Sequence, residues 1–367
     1  MTLVAAVEIL NVPLVFGDIL ISAPGERPAV AIPTRPDAGQ FVAPTGYSIA
    51  GVRRKVVLLH DRLAVAWARN EMGARRLVKE LRGFVGAGGV QRGGLFDWLR
   101  RYPSQGRGVQ CELVGWIVDD EGGAAFHWGS DGTFSVDQGP QLAGTGKEDF
   151  QAEILARPHG FYMKPDLSPA DRALHLALSL AGNSIGREIA SGAPLQHLYG
   201  GGIEVALFLD GRFRMASDVT FLTWLLEIDP DHQRSRIVPA RAVLKFQHIG
   251  EHLVVHTARR DEQGRPAPQE IHIVSPVDSD VEMTELPGFG PLTSPIFCNF
   301  LVVPVPGAGE LNVTLVLTEP NEYIWFERSP DGTESLALDH RFRILLSERL
   351  TPEVQKLRDE AGGSQSY

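Results

Sequence analysis

Branched apolar residues fill Leu3–Val7 and again Leu14–Leu20, with Asn11-Val12-Pro13 between them. The pattern predicts two strands joined by a turn, with the start of the chain buried at the edge of a sheet. Lys55–Leu59 and Leu63–Ala68 read as a second strand pair around His60-Asp61-Arg62. From Asn70, a good N-cap, Met72, Leu77, Val78, Leu81, Phe84 and Val85 recur at helical spacing. A short helix over Leu95–Arg101, a strand over Val109–Val118 and a hairpin over Ala124–Val136 follow, the last turning at Ser130-Asp131-Gly132. Ser168-Pro169 opens the longest helical pattern, with Leu174, Ala177, Leu178, Ala181, Ile185 and Ile189 on one face. Gly200-Gly201-Gly202 then leads into a strand, Ile203–Leu209, which turns at Asp210-Gly211 into Phe213–Ala216.

The period changes after that. Leu222–Ile228 reads as one more helix. Residues 241–347 read as strands, from Ala242–Gln247 through to Arg341–Leu346, with turn-rich linkers between them. The predicted organisation is a first domain over 1–225 and an all-β accessory domain, sandwich or barrel, over 236–350. A short polar helix from Thr351-Pro352 and a disordered tail fill 351–367. Residues 23–50 hold five prolines and three glycines and read as a long loop. They are a surface insertion or, more sharply, a flap over a site or an interface arm.

Composition narrows the classes. The 367 residues suffice for two domains, and a formal charge of −10 argues against non-specific nucleic-acid binding. Only Cys111 and Cys298 are present, so a disulfide framework is not indicated and a reducing cytoplasm fits best. The apolar start lacks a basic flank and is broken by Glu8 and Asp18, which excludes a signal peptide or a membrane span. The expectation is a cytoplasmic protein with no membrane and no nucleic-acid partner.

The candidate chemistry begins at Thr2. Removal of Met1 would free a threonine whose own α-amine, with a pKa of about 8, can take the hydroxyl proton. Thr2, Gly17-Asp18 and Val52-Arg53-Arg54-Lys55-Val56, in that order and spacing, resemble the proteasome β-subunits. They resemble still more the peptidase subunit of the bacterial ATP-dependent two-component protease. Leu59 to Ala68 is similar to the next hairpin of that family, and the likeness spans roughly residues 2–217. Arg53 and Arg54 leave the lysine register open by one residue.

The resemblance implies an α+β fold, a four-layer αββα Ntn-hydrolase sandwich carrying the second, mostly-β C-terminal domain. It implies a threonine-type amide or peptide hydrolase with Thr2 as nucleophile, Asp18 and Lys55 as electrostatic support and Thr145 in place of the family's serine. A peptide or amide substrate, a homo-oligomeric ring and an ATPase partner are implied as well, although the extra C-terminal domain could obstruct ring stacking. No cofactor and no metal are expected. The sequence departs from the family at three further places. His197 and Gly200 stand where an Asp and a Ser are usual, and Arg69 stands at the glycine of the oxyanion-hole turn. Those departures keep two other classes open: a catalytically inactive scaffold or interaction protein, and a small-molecule amidohydrolase in which Arg69 binds a carboxylate.

Other motifs carry less. Gly144-Thr145-Gly146-Lys147 lacks the first glycine of a phosphate loop, and Glu148 stands where a magnesium-binding hydroxyl belongs. His252 and His256 have zinc-like spacing but sit in an alternating, strand-like segment, on one face but far apart along it, and HExxH is absent. Cys298 between Phe297 and Phe300, and Trp67, Trp98, Trp116 and Trp128, read as core or interface.

Overall fold

A computed structural model describes the chain except residues 1, 27–29, 37, 39–45, 89, 103–109, 138, 157–166, 230–233, 261–266, 280–282, 284–290, 319–322, 329–333 and 364–367. The first part runs β1 (Leu3–Ile9), β2 (Val12–Asp18), β3 (Leu20–Pro24), β4 (Tyr47–Val52), β5 (Val56–His60) and β6 (Leu63–Arg69). Then come α1 (Glu71–Gly88), α2 (Arg92–Arg101), β7 (Cys111–Asp119), β8 (Gly122–Gly129), β9 (Phe134–Asp137), β10 (Gln141–Gly144) and α3 (Lys147–Ala156). After α4 (Pro169–Ser191) and the single turn α5 (Ala193–Gln196) follow β11 (Ile203–Leu209), β12 (Arg212–Met215), β13 (Val219–Asp229), β14 (Arg234–Ile249), β15 (His252–Arg259) and β16 (Glu270–Val274). The chain ends with β17 (Ile296–Val305), β18 (Gly309–Leu317), β19 (Ile324–Arg328), β20 (Glu334–Leu338) and α6 (His340–Gly363). The architecture is mixed α and β with several sheets. No helix among the described residues is long and apolar enough to cross a membrane.

Two five-stranded sheets carry the first part, ordered β10-β1-β2-β11-β12 and β5-β6-β7-β8-β9. Strand alternation explains why their sequences are apolar without a break. In β1, Leu3, Ala5 and Val7 join the core that includes α4, while Val4 and Ala6 join Ala64, Ala66 and Val114 of the other sheet. The side chains of β6 divide the same way. Its alanines meet the first sheet, and Leu63, Val65 and Trp67 meet Leu77 and Leu81 of α1 and Leu95 and Leu99 of α2. Small residues on the shared face let the sheets approach closely. β1 is not an edge strand, because β10 pairs along its outer side, Leu3 opposite Gly144.

Residues 23–50 are more than a surface loop. Their ends pair as the β3–β4 ribbon, and Ile32, Ala38 and Ile49 are buried with Leu195 and Leu198. Apolar residues within the proline-rich run supply that anchor.

Of the later strands, β13 to β18 form one six-stranded sheet, β16-β15-β14-β13-β17-β18, and β19 and β20 pair as a separate ribbon, in place of a sandwich or barrel. Leu222–Ile228 lies in β13, a strand and not a helix. Thr-Phe-Leu-Thr-Trp-Leu-Leu is apolar on both faces because β13 sits centrally, antiparallel to β14 and parallel to β17. Val219 and Phe221 face α4, whereas Leu222, Trp224 and Leu226 face Phe342, Leu346, Leu350 and Val354 of α6. Those four residues recur every fourth position, so Arg341–Leu346, expected as a strand, belongs to a long amphipathic helix. That helix passes through Pro352, next to which the Thr351 hydroxyl donates to the Ser347 carbonyl at 2.7 Å. Residues 364–367 of the expected tail lie outside the described residues.

Helix α4 is shared by both parts. Ser168 caps its start by accepting the Asp171 N–H, and Gly192, at φ 70°, ends it in the left-handed conformation. One core cluster takes in Leu3 and Phe16, then Leu178 and Ile185 of α4, then Leu244, Phe246 and Val255 of the six-stranded sheet. The strand β13 crosses the boundary placed at 225. Glycines seat the helix: a Cβ at Gly186 would lie 2.0 Å from the Phe300 ring, and one at Gly182 would lie 2.3 Å from Cys298 Sγ. Gly186→Ala should therefore destabilise the chain by about 1–3 kcal/mol through overpacking. Urea unfolding measures this, and an unchanged midpoint would contradict the contact.

Candidate active site

The β1–β2 hairpin turns at Leu10-Asn11, both at positive φ (53° and 61°), the geometry of a tight two-residue hairpin turn. This sets Asp18, the last residue of β2, beside the start of β1. The Leu3 N–H donates to Asp18 Oδ1 at 2.9 Å and the Thr2 hydroxyl to the same oxygen at 2.5 Å. Lys55 arrives from the facing sheet, just ahead of β5. Gly17 makes room for it, since a Cβ there would stand 3.2 Å from Lys55 Cβ and 3.0 Å from Val56 Cγ2.

Thr2, Asp18 and Lys55 converge, all three buried. The Lys55 ammonium donates to Asp18 Oδ1 at 2.6 Å, to the Leu20 carbonyl at 2.5 Å and to the Thr2 hydroxyl oxygen. Its three protons thus have three acceptors, which a buried ammonium requires. The Trp67 ring lies 5.9 Å from Nζ. Burial pushes the Lys55 pKa below its ordinary value, and the Asp18 carboxylate acts against that. The Lys55 backbone is braced too, its N–H donating to Glu204 Oε2 at 3.3 Å. Burial alone would raise the Glu204 carboxyl, but Arg54 at 2.6 Å and His248 at 3.1 Å hold it below the usual range.

Thr145 lies across from Thr2 with its hydroxyl turned elsewhere. It donates to the His197 carbonyl at 2.7 Å and stands 3.5 Å from the Thr2 carbonyl oxygen. The Thr2 carbonyl is held by Gly146 N–H at 3.2 Å, at the start of α3. Gly144 is obligatory at this corner: at φ 93°, its Cβ would fall 2.0 Å from the Thr2 oxygen.

The departures acquire physical form. Gly200 donates its N–H to Asp18 Oδ2 at 3.0 Å, so the backbone serves the carboxylate without a side chain. A Cβ at Gly200 would meet Glu188 Oε2 at 2.2 Å. The imidazole of His197 is exposed, and only its carbonyl enters the arrangement. Arg69 adopts φ 74°, a conformation that favours glycine, and its guanidinium pairs with Glu112 at 2.5 Å.

These residues border a cleft of about 800 Å³ whose wall includes Thr2, Lys55, Arg69, Thr145, Tyr47 and the β3 edge from Ile21 to Pro24. His127 and Glu188 were not foreseen from the sequence. Among the described residues His127 Nε2 is buried without a partner at the cleft, and burial lowers the imidazole's pKa. Among the described residues no three His, Cys, Asp or Glu side chains group as metal ligands, and His252 and His256 are two buried positions on β15. Gly144-Thr145-Gly146 closes β10 and leads into α3, with Glu148 and Asp149 in the helix's first turn.

No protein-family model matches the chain, and no curated protein matches it either.

Lys55→Met should cost about 3–5 kcal/mol, because Asp18 is left as an unpaired buried charge. Adding Asp18→Leu should recover part of that loss. Denaturant unfolding of the two single variants and the double variant checks this, and strictly additive losses would contradict a direct ion pair.

Proposed function

We propose that this chain is a proteasome-like Ntn hydrolase that cleaves an amide or peptide bond with Thr2 as its N-terminal nucleophile. The observation that carries the reading is the contact of one buried ammonium, Lys55, with both the Thr2 hydroxyl and Asp18 at the rim of an open cleft. The layer order supports it. Two sheets share a small-residue face, α1 and α2 pack outside one, and α3 and α4 pack outside the other, which agrees with an αββα sandwich.

The chemistry follows from the charges. Removal of Met1 gives Thr2 a free amine, which accepts the hydroxyl proton as Oγ1 attacks the amide carbonyl. Lys55, held by Asp18 and the Leu20 carbonyl, faces Oγ1 and stabilises the negative charge that develops there. The amine then returns its proton to the leaving nitrogen, and water cleaves the acyl-threonine ester. The Arg69 turn, with its glycine-like backbone, is the candidate for holding the oxyanion through a backbone N–H. Ring assembly and an ATPase partner belong to the same reading.

One observation favours the rival, a proteasome-like interaction protein without activity. The Thr145 hydroxyl is committed to the His197 carbonyl and does not reach the Thr2 hydroxyl, so the nucleophile has less support.

A β-lactone probe separates the two. A chain verified by mass to begin at Thr2 should be acylated at Thr2, and Thr2→Ala should abolish the adduct while the chain still folds, at a melting temperature lowered by the loss of one acceptor of the Lys55 ammonium. Adduct formation that survives in Thr2→Ala would move the chemistry elsewhere. A Thr2-initiated chain that takes no probe would favour the interaction protein.

A further inference from the structure

Glu188 lies in the last turn of α4 and is fully buried, yet no step above uses it. Thr34 donates its hydroxyl to Glu188 Oε1, and the Gly201 N–H reaches both carboxylate oxygens at 3.0 Å. The preceding amide, Gly200, goes instead to Asp18 Oδ2 at 3.0 Å. Successive amides of one turn thus bind two buried carboxylates, and one of these holds Lys55 and Thr2. Gly200 sits at φ 127°, and a Cβ there would stand 2.2 Å from Glu188 Oε2, so the turn has no slack on that side. Next to Asp18, the Ile19 N–H reaches the carbonyls of Gly200 at 3.2 Å and Gly202 at 3.3 Å. The turn cannot move against Glu188 without moving Asp18.

Thr34 belongs to a tight turn in which Ile32 and Arg35 exchange backbone hydrogen bonds of 3.1 Å. Arg259, at the end of β15, clamps that turn by donating to the carbonyls of Ile32, at 3.0 Å, and Pro33. Hydrogen bonds therefore run from the six-stranded sheet through Arg259, the 32–35 turn, Glu188 and the Gly200-Gly201 amides to Asp18.

We propose that Glu188 is a positioning residue for Thr2, the junction at which the six-stranded sheet sets the place of Asp18 and through it of Lys55. This role rests on the threonine-nucleophile reading above. Among the described residues the charged groups that weigh most on Glu188 are Asp18 from β2, which opposes its ionisation, and Arg35 from the 32–35 turn, which favours it. Burial, helped by Asp18, outweighs Thr34, Gly201 and Arg35 and pushes the carboxyl up to about 8. Below that pH the junction is neutral. Above it, a second negative charge opposes Asp18 across the shared turn.

Glu188→Gln keeps the side chain's size and its acceptor and removes the titration. The first readout needs no activity. A carboxyl with a raised folded pKa gives stability that is complete below the ordinary value of 4.5 and is lost as pH rises through about 8. The wild-type melting temperature should therefore fall relative to E188Q between pH ~4.5 and ~8 and level off above. Thr34→Val, which removes a donor that favours the charged form, should move this fall to higher pH. Asp18→Asn, which removes the like charge, should move it lower. Curves that run parallel at every pH, or an Asp18→Asn background that leaves the fall in place, would overturn the junction.

The second readout is the rate of β-lactone acylation at Thr2. The ratio of wild type to E188Q should be level below about 8 and fall by roughly tenfold through it, since small displacements of a reacting pair cost that much. Glu188→Ala should acylate slowly throughout, and Glu188→Gln should restore the rate across the whole range. A level ratio with diverging melting curves would leave Glu188 a buried acid without hold on Thr2 and refute the positioning role. A wild type that never acylates refutes the nucleophile reading itself, and the Asp18→Asn melting comparison then decides whether the junction exists.

Discussion

The site depends on keeping one ammonium charged where almost no water reaches it. Lys55 is buried, so its charge persists only through its three acceptors: Asp18, the Leu20 carbonyl and the Thr2 hydroxyl. Each of these is fixed by a different piece of backbone. Asp18 is placed by the β1–β2 hairpin and by the Gly200 amide, Leu20 by the start of the β3–β4 ribbon, and Thr2 by the corner at Gly144 and Gly146. The glycines at 17, 144 and 200 stand where a side chain would strike one of these groups or its neighbour. The buried charge thus sets the local sequence more strictly than any strand propensity does.

The same constraint joins the two halves of the chain. Asp18 can face Lys55 only while the Gly200-Gly201 turn stays in place, and that turn lies over Glu188 of α4. Helix α4 in turn presses glycines against Cys298 and Phe300 of the six-stranded sheet. A second tie runs through Arg54, which bonds Glu204 in the first sheet and the Glu251 carbonyl beside β15. The later sheet is packed into the framework that carries the site rather than tethered to it by a flexible linker.

Much of this could be read from the residues. Continuous branched apolar runs broken by turn residues gave the hairpins, and Ser168-Pro169 with Gly192 gave both ends of α4. Asp18 and Lys55 stand out through the order and spacing in which Thr2, Gly17-Asp18 and Val52–Val56 resemble the proteasome β-subunits. Where both faces of an element are buried, periodicity vanishes, and for that reason Leu222–Ile228 read as a helix although it is the centre of a sheet. Arg341–Leu346 misled in the opposite way. A six-residue window shows its apolar content, and only the recurrence of Phe342, Leu346, Leu350 and Val354 shows the helix. Glu188 gave no signal, since an acidic residue near a helix end normally faces solvent. Its partner Thr34 lies 154 residues away in a proline-rich run, a separation that local pattern cannot bridge.

The central claim is that Thr2 Oγ1 reacts under the charge of Lys55. A crystal structure of the chain, verified to begin at Thr2 and soaked with a peptide boronate, tests it most directly. The account predicts a tetrahedral boron bonded to Thr2 Oγ1, with Lys55 Nζ still in hydrogen-bond contact with that oxygen and the peptide lying along the β3 edge. A boronate seated in the cleft without a bond to Thr2, or bonded to another hydroxyl, would contradict it.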